Sequence, residues 1–271
     1  MTAPVFVSVD AVAARLRDEP KGLRLIEVRR DAAEAGPDQH LPGAVVASLT
    51  ADLSRSDGEP TEGKRPLPHV DVLQATLRRW GIDETTRVVV YDDGSFVAGR
   101  AWWVLRWAGV AEVAILDGGL RSWLAAGHPA GPLATNVAEG DITVTAGHLG
   151  QLDAEGAAAL AIDGRLVDSR AADAFDVGHI PGARNVSSRD TVTADGTLHD
   201  PDTLRALYQI DGQHEVVPGL YCGGGVAAAH GVAVLAHLGI SAPLYVGSFS
   251  AWSADPARPV AETSVGTGRV T

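Results

Sequence analysis

The chain repeats itself, and the repeat constrains its fold more tightly than any other feature. Leu25–Arg29 (Leu-Ile-Glu-Val-Arg) is matched by Leu166–Arg170 (Leu-Val-Asp-Ser-Arg), and His40–Ala44 (His-Leu-Pro-Gly-Ala) by His179–Ala183 (His-Ile-Pro-Gly-Ala). Val90–Gly94 (Val-Tyr-Asp-Asp-Gly) is matched by Leu220–Gly224 (Leu-Tyr-Cys-Gly-Gly). The offsets of 141, 139 and 130 residues drift only as far as loop insertions allow. Two copies of one unit of roughly 125 residues therefore account for most of the chain. They span residues 1–126 and 142–262. The stretch 127–141, rich in Gly and Pro at its start, links them, and 263–271 is a small polar tail expected to fray.

Each copy alternates apolar runs with helical patterns. Leu23–Val28, Arg87–Tyr91 and Val113–Leu116 predict buried strands in the first copy, with helices over Val70–Trp80 and Arg100–Ala108. The second copy repeats this with strands at Arg165–Val167, Val216–Tyr221 and Leu244–Val246, and helices near Pro201–Tyr208 and Ala227–His237. The fold class is α/β: two tandem domains, each a mainly parallel sheet flanked by helices. A formal charge of −12 without a basic cluster argues against nucleic acid or an anionic membrane as partner. The N-terminus lacks a signal-peptide pattern and no apolar run is long enough to span a bilayer, so the expected location is cytoplasmic.

The copies differ at one informative point. Asp92 of the first stands opposite Cys222, the sole cysteine of the chain, and each follows a tyrosine that closes a strand. In open α/β sheets ligands bind beyond the carboxyl ends of the strands. Cys222 is followed there by Gly223, Gly224, Gly225, Val226 and Ala227, and then by a helix. Consecutive glycines allow several backbone N–H groups to face one centre, and the helix start adds its positive end. The anion such a nest stabilises is the Cys222 thiolate, or a persulfide one sulfur further out, and a thiolate is a nucleophile. A lone cysteine in an intracellular protein is more often a small buried hydrophobe. The glycine loop, the strand-end position and the Asp92 of the duplicate favour chemistry.

At these residues the chain resembles the rhodanese family of sulfurtransferases in its tandem two-domain form. The resemblance rests on Asp168–Arg170, Gly178–Ala183 and Cys222–Ala227, with support from Arg100–Trp103, Leu116–Trp123 and Gly247–Trp252. It implies a silent first domain carrying Asp92, a catalytic Cys222 in the second, an active site in the cleft between them, and neither metal nor organic cofactor. It also implies a double displacement. Cys222 attacks a small anionic sulfur donor such as thiosulfate or 3-mercaptopyruvate, releases sulfite or pyruvate, and holds the sulfur as a persulfide against the amides of residues 223–227. Cyanide, a thiol or thioredoxin then removes it.

The small neutral residues after Cys222 are similar to the mercaptopyruvate branch of that family. That branch has a serine where this chain has Gly224, a histidine where it has Arg65, an aspartate where it has Ser54, and a carboxylate-gripping arginine where it has Ala174. Arg65 is therefore a candidate donor-binding cation, favouring a compact dianion such as thiosulfate; the alternative is a solvated loop arginine beside Lys64.

Other residues have plainer readings. Asp168 and Arg170 form a strand-end pair expected to be structural. His40 and His179 occur in both copies and are expected to stabilise turns. Trp102, Trp103 and Trp107 have helical spacing suited to packing. His230 lies two turns beyond Cys222, far for a general base, and the histidines lack metal-ligand spacing. Gly223, Gly225 and Ala228 match GxGxxA, but no acidic residue follows until Asp255, too late to hold a ribose. A cysteine phosphatase needs an arginine where Ala228 stands, and no phosphate-loop Gly-Lys-Ser/Thr is present. A low-turnover sulfur carrier or protein-binding module remains as the non-enzymatic alternative.

Overall fold

The computed structural model describes residues 3–19, 21–31, 39–210 and 217–263. Two five-stranded sheets organise it. The first contains β1 (Phe6–Val7), β2 (Leu23–Arg29), β3 (Val45–Ser48), β4 (Arg87–Tyr91) and β5 (Glu112–Leu116), in the order β1-β5-β4-β2-β3. The second contains β6 (Gln151–Leu152), β7 (Leu166–Asp168), β8 (Arg184–Asn185), β9 (Gly219–Tyr221) and β10 (Leu244–Tyr245), in the order β6-β10-β9-β7-β8. All these pairings are parallel, and the two orders are the same order read in two copies. The duplication legible in the sequence is thus a duplication of topology.

Helices cover the sheets: α1 (Val9–Asp18), α2 (Val70–Arg79), α3 (Val97–Trp107) and α4 (Gly119–Ala125) in the first half, then α5 (Ala154–Ile162), α6 (Ala172–Asp176), α7 (Pro201–Leu207), α8 (Ala227–His237) and α9 (Ser248–Trp252). None is long and apolar enough to cross a membrane among the described residues. The expected strands and helices are present with shifted ends. Of the run Val216–Tyr221 only Gly219–Tyr221 is strand, and Val216 lies outside the described residues, as does 264–271 of the tail. The helix expected from Arg100 begins at Val97, directly after Phe96 takes a left-handed conformation at φ 63°.

Strand alternation divides the interior. In β4, Val88 and Val90 face one core while Val89 and Tyr91 face another; in the second sheet Val167 and Leu220 face inward while Leu166 and Tyr221 face outward. The inner faces of both sheets share one apolar core, filled by α3 and α8, whereas each outer face has its own smaller core. These two helices are apolar almost all round, as helices buried on every side must be. They cross closely at Gly99, where an added Cβ would lie 2.6 Å from His230 Cα.

The stretch expected to link the domains does not run free. Gly131 N–H donates to His40 O, Ala134 N–H to Ala44 O and Gly140 N–H to Arg78 O. The docking onto the first domain continues past 141: Ile142 N–H reaches Ile82 O, Thr145 N–H reaches Ala108 O, and Ile142 and Val144 are buried in the shared core. The second sheet begins only at Gln151.

Candidate active site

The three repeated motifs converge on one hydrogen-bonded corner in each domain. In the first, Tyr91 Oη donates to Glu27 Oε2 at 2.9 Å and accepts the Leu41 N–H at 3.2 Å, while His40 Nδ1 lies 2.7 Å from the same carboxylate oxygen and Arg29 Nε 2.7 Å from its partner oxygen. In the second, Tyr221 Oη accepts the Ile180 N–H at 3.1 Å, and Arg170 grips Asp168 through both Nε and Nη2. Arg170 Nη2 also reaches Gly178 O at 2.7 Å and the guanidinium stacks on Phe249 at 4.3 Å. These groups satisfy one another, in both copies, and hold the β4 and β9 strand ends rigid. His179 is likewise spent on structure, with Nδ1 2.9 Å from Phe175 O and its ring stacked on Phe175.

Cys222 begins the loop after β9 and is 3% exposed. Its N–H donates to Ser248 Oγ at 3.2 Å, and that hydroxyl donates to Tyr245 O at 2.9 Å. Ser248 sits at φ 55°, where its counterpart in the first domain is Gly119 at φ 59°. A side chain is kept in this unfavourable conformation to anchor the cysteine amide. The Phe249 and Ser250 N–H groups donate to Cys222 O at 2.9 Å and Gly223 O at 3.1 Å, tying the loop to α9.

Only one of the three loop glycines is left-handed. Gly225 has φ 75°, and a Cβ there would meet Val246 O at 2.7 Å. Gly224 serves a different purpose: a Cβ on it would lie 3.1 Å from Arg65 Nη1, so the missing side chain makes room for that guanidinium. Gly223 has no close neighbour beyond Arg170 Cδ at 3.8 Å.

The Asp92 loop shows what this geometry accommodates. Asp92 is buried, and its carboxylate accepts the Gly94 N–H through Oδ1 and the Ala98 N–H through Oδ2, both at 2.8 Å. Burial pushes this carboxyl up, and those two amides oppose the shift. At the corresponding positions, Gly224 and Ala228, no protein acceptor takes the N–H groups among the described residues, and α8 has no side-chain N-cap. These two amides are the counterparts of the pair that binds the Asp92 carboxylate, and a nest of this kind suits an anion.

The first domain covers the loop. Lys64 N–H donates to Ser250 Oγ at 3.0 Å, and Gly63, at φ 85°, lies so close that a Cβ would meet Gly247 O at 2.3 Å. This segment carries Arg65 to Gly224. Arg100, fully buried on α3, arrives from behind: Nη1 reaches Gly225 O at 3.4 Å and Nη2 reaches Arg65 O at 3.0 Å and Leu53 O at 3.3 Å. Burial lowers it to about 10, which leaves it a cation at neutral pH. The Cys222 loop and the segment bearing Arg65 therefore meet where the two domains face each other. His230 does not join them. Its Nε2 lies 3.1 Å from Thr191 Oγ1 of its own domain, its ring packs 4.7 Å from that of Phe96 in the first domain, and burial lowers it to about 4. Ala174, in α6, brings no charge.

Sequence reasoning placed Arg100 in a helix and Ser248 in a motif without giving either a task. The signal for Arg100 was present: an arginine inside Val97–Trp107, where nearly every other residue is apolar, has to find a polar destination.

A chain with two copies of a parallel α/β unit, one bearing a cysteine in an amide-lined loop at a helix start and the other an aspartate, belongs to the two-domain sulfur-handling class of such folds. The rhodanese-like domain matches residues 8–126 and 152–255, and the chain is a member of the rhodanese-like family. It is 44% identical over 237 residues to the Mycobacterium tuberculosis protein named "Putative thiosulfate sulfurtransferase SseB", covering 82% of each. It is 30% identical over 300 residues to the human 3-mercaptopyruvate sulfurtransferase, covering 97% of this chain and 96% of that one. The crystal structure of SseA from Escherichia coli, described as a 3-mercaptopyruvate sulfotransferase, superposes with a TM-score of 0.77 at 28% identity, over 91% of this chain and 99% of SseA.

Proposed function

We propose that the protein is a sulfurtransferase in which Cys222 is both nucleophile and sulfur carrier, and that its donor is a compact dianion of the thiosulfate type. The observation that carries this reading is the contrast between the two loops. Asp92 fills its own nest with a carboxylate, whereas the amides beside Cys222 have no protein acceptor among the described residues. The names of the relatives support the reaction class, on thiosulfate in one case and 3-mercaptopyruvate in the other.

The thiolate of Cys222 attacks the outer sulfur of thiosulfate. The Sγ–S bond forms as the sulfur–sulfur bond of the donor breaks, and the bonding pair leaves with sulfite. The three negative charges on the left become a persulfide anion and a sulfite dianion on the right, so no proton or electron is needed. The persulfide sulfur, one bond of about 2.05 Å beyond Sγ, lies against the amides of Gly223, Gly224, Gly225, Val226 and Ala227. A thiophilic acceptor (cyanide, a small thiol or the exposed thiol of a thioredoxin-like protein) takes that sulfur and restores the thiolate.

Arg65 supports the choice of donor. It stands over Gly224 with its Nε unpartnered among the described residues, so the cleft presents a cation where the mercaptopyruvate branch is expected to present a neutral or titratable group. Steady-state turnover with cyanide as acceptor tests this. The expected result is a higher kcat/KM for thiosulfate than for 3-mercaptopyruvate, abolished by Cys222→Ala. A clear preference for 3-mercaptopyruvate removes the donor assignment, and turnover that survives Cys222→Ala removes the mechanism.

A further inference from the structure

Arg100 poses an energetic problem that the domain interface alone does not resolve. Its side chain is fully buried, its Nε has no hydrogen-bond partner, and no carboxylate lies within 4.0 Å of it among the described residues. A guanidinium withdrawn from water without a counter-ion is strongly disfavoured, and the three backbone carbonyls it meets offset that only in part. Two of those bonds are long, at 3.3 and 3.4 Å. The other cation in the neighbourhood, Arg65, adds repulsion rather than relief. The contacts of Arg100 lead to the Cys222 loop: Nη1 meets the carbonyl of Gly225, three residues beyond Cys222, at 3.4 Å, and a Cβ on Gly225 would lie 3.0 Å from the same nitrogen.

From this placement we infer that Arg100 is the counter-cation of the Cys222 thiolate and persulfide, so that the silent domain supplies the electrostatic half of the active site through the helix that crosses α8. The inference rests on Cys222 being the nucleophile. Pseudo-symmetry sharpens it. The residue 130 positions on, at the same turn of α8, is His230, which points at the Asp92 loop and is neutral at ordinary pH. An anion-bearing loop is thus met by a cation from across the interface, and a loop already filled by its own carboxylate by an uncharged ring. Arg100 acts through Cys222 and the Gly225 carbonyl rather than on the donor, which makes it a positioning and charge-balancing residue.

Two variants separate charge from structure. Arg100→Gln keeps an amide donor of similar reach and loses the charge; Arg100→Lys keeps the charge and loses the planar fork. The readout is the pH profile of Cys222 alkylation by iodoacetamide, which reports thiolate without requiring turnover. Arg100→Gln is expected to move the profile to higher pH and to slow alkylation on its acid limb about tenfold, while Arg100→Lys stays within about twofold of the parent. A profile unchanged in folded Arg100→Gln overturns the inference, as does Arg100→Lys shifting as far as Arg100→Gln. Turnover that survives Cys222→Ala overturns the underlying reading instead, so the two failures are distinguishable.

Discussion

Arg65 and Gly224 are two departures in the sequence but one event in space. Each stands where the mercaptopyruvate branch is expected to carry a different residue, and the guanidinium of one fills the volume that a side chain on the other would need. Arg65→Ala removes a half-buried cation from the mouth of the cleft. It is expected to raise the KM for thiosulfate roughly tenfold, the worth of one partly solvated charge-assisted contact, with kcat little changed; an unchanged KM makes Arg65 a bystander. His230 gives a test in pH. It is held near 4 by burial against an ordinary 6.5, so between those values the unfolded chain binds a proton that the folded chain refuses. Stability is therefore lost as pH falls from about 6.5 to about 4, by roughly 3 kcal/mol. His230→Gln, which cannot titrate, should flatten that part of a Tm-against-pH curve; parallel curves for the two proteins contradict the burial of a neutral ring. Cys222 and its glycines were legible because sequence-local signals mark them: a strand end, a run without Cβ atoms and a helix start. Arg100 and Ser248 were not, because each meets its partners across 26 to 125 residues of chain, and no local pattern encodes that meeting.

Elements explain why the cleft has its shape. β4 is readable as an apolar run, Val88–Tyr91, because both sheet faces are buried there, and β2 by the apolar Leu23, Leu25, Ile26 and Val28 among its charged residues, whereas β1, β6 and β8 have two residues each, too few for any periodicity. The duplicated topology recovers them: once one copy is known, the second sheet follows in the same order. What neither pattern nor propensity reveals is the α3–α8 crossing, which depends on a single missing Cβ. Gly99→Ala pushes a methyl group into the His230 backbone, and overpacking of this kind costs about 1–3 kcal/mol. Because Arg100 is the next residue on the same helix, the displacement also moves the cation. The expected outcome is a Tm lower by several degrees together with reduced kcat/KM, measured by thermal denaturation and steady-state assay. A Tm equal to the parent's would contradict the close crossing.

At the scale of the whole molecule, the two copies share one interior. The inner faces of both sheets close on a single core, and the stretch between them is fastened to the first domain. Calorimetry should show one unfolding transition rather than two; two separated transitions would mean that the core divides at the domain boundary. Net charge gives this union a further consequence. At −12 the molecule repels a dianionic donor at long range, so attraction has to be local, and the proposed site supplies it through Arg65 and the amides of the Cys222 loop. The copy that carries Asp92 brings Arg100 to Gly225 and lies over the Cys222 loop. Mass measurement of the Cys222-containing peptide after exposure of the intact protein to thiosulfate tests this arrangement most directly. Cys222 as sulfur carrier predicts the gain of one sulfur atom on that peptide, removed again by cyanide as thiocyanate and absent from Cys222→Ser. A peptide that stays unmodified, with protein that is otherwise folded, contradicts it.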